Sequence, residues 1–156
     1  MPARSVYDAL PDFNGLGPLR FGMDEQQMQK AWTRPLYGAA SANDPNACYY
    51  LRPRKDEYSL LLMMEGGKFV RVDVRKDSIT APGGGRVGLA VDGLRKLYAD
   101  RIEAMPNKYD SAAHTLRVIP PHDEHARLVF ETDANGKVVS WRIGLPPPVD
   151  YVEGCS

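Results

Sequence analysis

The chain repeats itself, and that repetition limits its fold more than any other feature. Arg20-Phe21-Gly22-Met23-Asp24 leads into Met28, Ala31 and Trp32 at helical spacing. An offset of 66 residues brings up Arg86-Val87-Gly88-Leu89-Ala90, followed by Leu94, Leu97 and Tyr98 in the same rhythm. Glycine-rich turns, Gly15-Leu16-Gly17 and Gly83-Gly84-Gly85, precede both. Downstream, Leu60-Leu61-Leu62-Met63 corresponds to Arg127-Leu128-Val129-Phe130, and Gly66-Gly67-Lys68-Phe69-Val70 to Asn135-Gly136-Lys137-Val138-Val139. Gly-Gly and Asn-Gly mark hairpins, because glycine and asparagine adopt consecutive positive φ angles at least cost. The offset drifts only from 66 to 69, so the copies differ by small loop changes.

Each copy reads as a glycine-initiated helix, a loop and three strands. In the first, Asp24 caps the helix, Gln27 completes a capping box, and Pro35 ends it. Strands are predicted around 48–52, 58–64 and 68–75. In the second, a helix over 91–100 precedes strands near 114–119, 127–132 and 137–143. The expected fold is therefore α+β: two tandem repeats, at about 15–78 and 83–145, each a helix on a three-stranded antiparallel sheet, merged into one layered domain spanning 1–156. With 43% hydrophobic residues the chain can bury such a core. Pro146-Pro147-Pro148 cannot continue a ladder, so 146–156 is expected to run on as an extended tail.

Strand alternation assigns faces. Val70, Val72 and Val74 match Val139, Trp141 and Ile143 and are expected to face the helices, as are Leu61 and Met63, matched to Leu128 and Phe130. Leu60, Leu62, Met64 and Phe69 are then left pointing outward, rimmed by Arg71, Asp73, Arg75 and Arg142. An apolar patch ringed by charge is what a protein-binding surface presents. The same patch would equally well pack against the N-terminal arm or the proline-rich tail. As a partner-binding site the prediction is Leu60, Leu62, Met64, Phe69, Arg71, Asp73 and Arg142, with Phe69 and Arg71 as the anchors.

Cys48 and Cys155 are the two cysteines. A disulfide between them would hold a tail that otherwise frays, and would imply an oxidising home such as the bacterial periplasm; the alternative is two unrelated thiols. Lys+Arg and Asp+Glu both number 20, so the excess positive charge that drives nonspecific nucleic-acid binding is missing. No apolar run approaches a bilayer span. The N-terminus lacks the apolar core of a secretory signal, so export requires a signal upstream of residue 1.

Catalytic patterns are weak. His122-Asp123-Glu124-His125 could ligate a metal, but after Pro120-Pro121 and between strands it reads as a hairpin loop. Gly83-Gly84-Gly85 lacks the Lys-Ser/Thr of a phosphate loop. No serine has nucleophile-elbow context. Asp73 with Asp133 or Glu131 is a candidate acid/base pair without further support, and His114 reads as a strand-start residue. Tyr49, Tyr50, Tyr109 and Tyr151 could stack on sugar rings. The expectation is a non-enzyme with no cofactor and no metal.

The Gly15-to-Met23 opening, Gly88, Lys108-Tyr109, Phe130-Glu131-Thr132-Asp133 and the Glu153-Gly154-Cys155 ending resemble a family of exported bacterial proteins of the lipoprotein or lectin-like kind, with no established activity. The helix-then-strands repeat also looks like the β-lactamase inhibitor proteins and the small outer-membrane assembly lipoproteins. That resemblance implies a protein-binding module of the periplasm or cell envelope. An inhibitor or immunity protein blocking an enzyme such as a cell-wall hydrolase comes first; an envelope-assembly accessory and a glycan-binding module are the alternatives. It also leaves room for a lipid anchor upstream of residue 1.

Overall fold

The computed structural model describes residues 9–38, 47–106, 113–120, 122 and 124–155. Lys108-Tyr109, Asp123 and the first eight residues lie outside them. The chain opens with a small ribbon, β1 (Pro11–Asp12), β2 (Gly15–Leu16) and β3 (Leu19–Arg20), whose order is β1-β2-β3. Helix α1 (Glu25–Trp32) follows. Asp24 accepts from the Gln27 amide at 2.8 Å and donates its own amide to Gln27 Oε1 at 2.9 Å, which closes the expected capping box. The helix stops at Thr33, in the left-handed region at φ 64°, before Pro35 is reached.

The main sheet has seven strands: β4 (Tyr49–Leu51), β5 (Leu60–Glu65), β6 (Lys68–Val74), β7 (Ile102–Pro106), β8 (His114–Val118), β9 (Arg127–Thr132) and β10 (Val138–Gly144). Their order is β4-β5-β6-β10-β9-β8-β7, all antiparallel. Helix α2 (Val91–Tyr98) and a 3-10 turn (Ala99–Arg101) lie between β6 and β7. The architecture is α+β, with two sheets and two short helices. Strand β7 and the three-stranded ribbon are additions to the sequence expectation.

Outward from the β6–β10 seam, each side runs third strand, second strand, first strand. At the seam Asp73 lies opposite Arg142, Val74 opposite Trp141 and Val72 opposite Ile143. Each third strand carries one unpaired residue. Met63 and Met64 pair with Arg71 and Phe69, skipping Val70, while Glu131 and Thr132 pair with Ser140 and Val138, skipping Val139. Beside each bulge a glycine segment docks: the Gly22 amide donates to Phe69 O and the Phe69 amide donates to Met23 O, while the Gly88 amide donates to Val138 O and the Val138 amide to Leu89 O. Gly22 and Gly88 hold φ of 100° and 96°, positions that suit glycine.

The bulges set which residues are inside. Val138, Phe130, Trp141, Leu128 and Ile143 face the helices on one side of the seam; Phe69, Met64, Leu62, Val72 and Val74 do so on the other, with Leu60 packed against them. Leu62, Met64 and Phe69 are fully buried, and Phe69 stacks on Phe21 at 4.9 Å. The outward placement of Leu60, Leu62, Met64 and Phe69 is therefore corrected: they are core. Leu60, not Leu61, occupies the place of Leu128, and a slip of one residue exchanges the two faces of a strand. Val139, expected inside, is 47% exposed as the bulge residue.

Tyr98 closes one end of this core. Its hydroxyl donates to Pro82 O at 2.6 Å and accepts from Gly85 N at 2.9 Å, and its ring lies 5.6 Å from Phe130. Burial raises its pKa from 10.0 to about 12. The folded chain thus holds this proton more tightly than the unfolded chain. The associated stability is whole below the unfolded value and is lost as pH rises through the folded one. Tyr98→Phe is expected to cost about 1–2 kcal/mol near neutrality. It should also flatten the stability loss above about pH 10. Urea midpoints measured across that range check both effects.

Candidate functional site

The sheet face away from the helices carries charge that does not reach water. Arg71, Asp73, Glu131 and Arg142 are 3%, 8%, 8% and 4% exposed. Alternation puts them there: Asp73 and Arg142 pair across the seam, Arg71 is two positions before Asp73, and Glu131 lies next door on β9. Arg71 grips Asp73 with both carboxylate oxygens, Nε to Oδ2 at 2.9 Å and Nη2 to Oδ1 at 2.6 Å. Arg142 Nη1 meets Glu131 Oε2 at 2.7 Å, and Thr115 donates to Glu131 Oε1 at 2.6 Å. Burial lowers the Arg142 pKa, and Glu131 opposes that shift.

The cover is the protein's own C-terminus. After β10 the chain turns at Leu145, whose amide donates to Val70 O, and enters a 3-10 turn at Pro148–Asp150 instead of running extended. That turn aims three carbonyls at the two guanidinium groups. Arg71 Nη1 donates to Pro148 O at 2.8 Å and Tyr151 O at 2.7 Å, and Arg142 Nε donates to Val149 O at 2.5 Å. Arg117 adds an ion pair to Asp150 at 3.2 Å. Gly144 permits the approach, since a Cβ there would sit 2.4 Å from Val70 O. The strap ends in the Cys48–Cys155 disulfide, with Cα atoms 5.3 Å apart, and the Cys155 amide donates to Tyr50 Oη at 3.2 Å.

Every residue of the predicted partner site is thereby placed. Leu60, Leu62, Met64 and Phe69 belong to the helix-side core; Arg71, Asp73 and Arg142 lie beneath the strap. The two groups are on opposite faces and form no common surface. Of the tyrosines, Tyr49 donates to Glu25 at 2.7 Å, Tyr50 supports the strap, Tyr151 is exposed on it, and Tyr109 falls outside the described residues. Beside the disulfide, a cleft of about 470 Å³ is lined by Glu65, Asp150, Tyr151 and Glu153. Among the described residues no three His, Cys, Asp or Glu side chains are grouped to hold a metal.

Two surface features had no signal in the strand pattern. One is a groove of about 550 Å³ between the N-terminal ribbon and the 122–126 loop. The other is a free sheet edge. Strand β4 is covered by Tyr37, which exchanges backbone bonds with Arg52, whereas β7 has no neighbour among the described residues beyond β8. Glu103, Ala104 and Met105 on β7 are all exposed.

No protein-family model matches the sequence, and no curated protein matches it. Among solved structures, the fold is similar to the uncharacterized protein YfeY of Escherichia coli: 18% identity, TM-score 0.53, with 86% of this chain and 99% of that one covered. It is also similar to an extracellular protein of Bacillus anthracis that contains an SCP domain, at 10% identity and TM-score 0.51. There 94% of this chain is covered, and the chain spans about half of that protein's length (48%). At these identities the likeness concerns the fold alone.

The buried charges give a direct test of the strap. Arg142→Met removes the guanidinium that pairs with buried Glu131 and is expected to cost ~3–5 kcal/mol. The double variant Arg142→Met/Glu131→Leu should regain much of this, because the buried carboxylate is gone. Urea unfolding of the two variants beside wild type measures the difference.

Proposed function

We propose that the chain is a non-enzymatic binding protein of an oxidising, extracytoplasmic compartment, most simply the periplasm, that blocks a partner enzyme in the manner of an inhibitor or immunity protein. The compartment reading is supported by the Cys48–Cys155 disulfide, because such bonds persist where thiols are not kept reduced. Among the described residues, no helix is long and apolar enough to cross a membrane. We also infer that the two halves are duplicated copies; the matched bulges at Val70 and Val139 and the matched Gly22 and Gly88 support this.

The binding surface is read as the edge strand β7, and its exposure is the observation that carries the proposal. Ile119 N donates to Arg101 O, so alternation along the antiparallel pair directs the amides of Ile102 and Ala104 away from β8. A sheet edge with free amides is a template for a partner's strand. Met105 and Ile119, 39% and 41% exposed, supply apolar contact beside it, and Glu103 supplies charge. Pro106, which has no amide, stops the ladder at that end.

Affinity capture from a native envelope extract tests this reading. Ala104→Pro removes an outward amide and Met105→Glu places charge in the contact, and neither touches the core. Each is expected to reduce partner capture by about tenfold or more with unchanged circular dichroism. Undiminished capture of the same partner by both variants contradicts the assignment. A hydrolase in the wild-type eluate supports inhibition, and outer-membrane assembly machinery supports the accessory role.

A further inference from the structure

We propose that the groove between the ribbon and the 122–126 loop binds a small carboxylate carrying an apolar body. This goes beyond the protein-binding reading and does not depend on it. The groove, about 550 Å³, is lined by Phe13, Asn14, Arg20, Phe21, Ala126 and Leu145, with His122, Glu124 and His125 on one wall. That volume suits a compact organic molecule, and the lining combines apolar side chains with polar ones that can orient it.

Both walls are built and held. On the ribbon side, Asp12 Oδ1 accepts from the amides of Asn14 and Gly15 at 2.7 and 3.1 Å, and the Phe21 amide donates to Asn14 O at 2.9 Å. Gly15 cannot be replaced there without collision, since its Cβ would lie 2.0 Å from Leu19 O. Phe21 is anchored by its 4.9 Å contact with the core residue Phe69. On the loop side, Arg127 Nη1 reaches three successive carbonyls, those of Glu124, His125 and Ala126, at 2.9, 3.4 and 3.0 Å. These bonds tie the described residues of both walls to the fold.

Its charge selects the ligand. Arg20 is exposed at the rim and has no ion pair among the described residues. Glu124 is the one carboxylate among the described lining residues, and its Oε2 accepts from the His122 amide at 3.1 Å. An arginine without an ion pair, lining the same groove as two phenylalanines and a leucine, fits a carboxylate whose apolar body packs against those side chains. Guanidinium and carboxylate pair through two parallel hydrogen bonds, a geometry that lysine does not offer. His122 and His125 line the same groove, and a histidine ring carries an N–H donor.

Titration of the isotope-labelled protein with 4-phenylbutyrate, with neutral 4-phenyl-1-butanol and cationic 4-phenylbutylamine as comparators, tests the proposal by NMR. The expected result is saturable shifts at Phe13, Phe21, Ala126 and Leu145 with the carboxylate, and markedly weaker binding of the other two probes. Arg20→Ala is expected to weaken carboxylate binding by about tenfold or more, since a charged hydrogen bond is lost. Arg95→Ala, an exposed cation on α2, should change nothing. Equal binding of the alcohol, unchanged binding by Arg20→Ala, shifts centred elsewhere, or no saturable shift with any probe would each overturn it.

Discussion

Two arginines and two carboxylates are buried on a sheet face with no helix over it, and the rest of the molecule answers that constraint. Each ion pair satisfies part of its hydrogen-bonding capacity within the sheet, and the remaining guanidinium N–H groups need acceptors away from water. Burying such charges is tolerable only when these groups are met. The strap supplies carbonyls from Pro148, Val149 and Tyr151, in a 3-10 turn that places all three on one side. Without the disulfide, a short segment would have little apolar area with which to stay docked. The bond closes a separation of 107 residues, and a loop of that size is worth ~4–5 kcal/mol on chain entropy. Covalent closure and charge burial therefore support each other.

The same arrangement explains what could and could not be read beforehand. The capping box at Asp24, both helices, six of the sheet strands and the cysteine pairing are encoded locally or by elimination, and they fall within a few residues of expectation. Facing is not local. Aligning Leu61 instead of Leu60 with Leu128 placed a whole strand on the wrong side, and a bulge cannot be seen in an unbroken run such as Lys68–Val74. One clue was present: Arg71, Asp73 and Arg142 fall on one face of neighbouring strands, and charge of both signs there invites pairing. Strand β7 was illegible for another reason. Ile-Glu-Ala-Met-Pro ends in proline and shows no clear apolar alternation, its central residues being exposed, so only its pairing with the next strand, β8, marks it as a strand.

These placements change where function can reside. The face that looked open is closed by the chain itself, in contrast to a module that grips its target with an uncovered sheet. Accessible features among the described residues are peripheral: the β7 edge, the groove where the ribbon meets the residues before β9, and the cleft beside the disulfide. The groove gathers His122 and His125, whose spacing suggests metal chemistry in the sequence, and sets them beside Arg20 and two phenylalanines instead. Among the described residues, the three-stranded ribbon and strand β7 lie outside the six strands that the sequence pattern anticipates.

If the disulfide-held strap keeps the charged face dry, the exchange of arginine side-chain protons with water reports it. In the oxidised protein the Nε–H groups of Arg71 and Arg142, bonded to Asp73 and Val149, are expected to give resolved NMR signals that exchange slowly with water. After reduction of Cys48–Cys155, the Arg142 signal should exchange at least about tenfold faster as the strap opens, while core amides such as that of Val72 stay protected. If both arginine signals exchange rapidly in the oxidised protein, or if reduction leaves Arg142 as protected as before, the strap does not seal this face and the account fails.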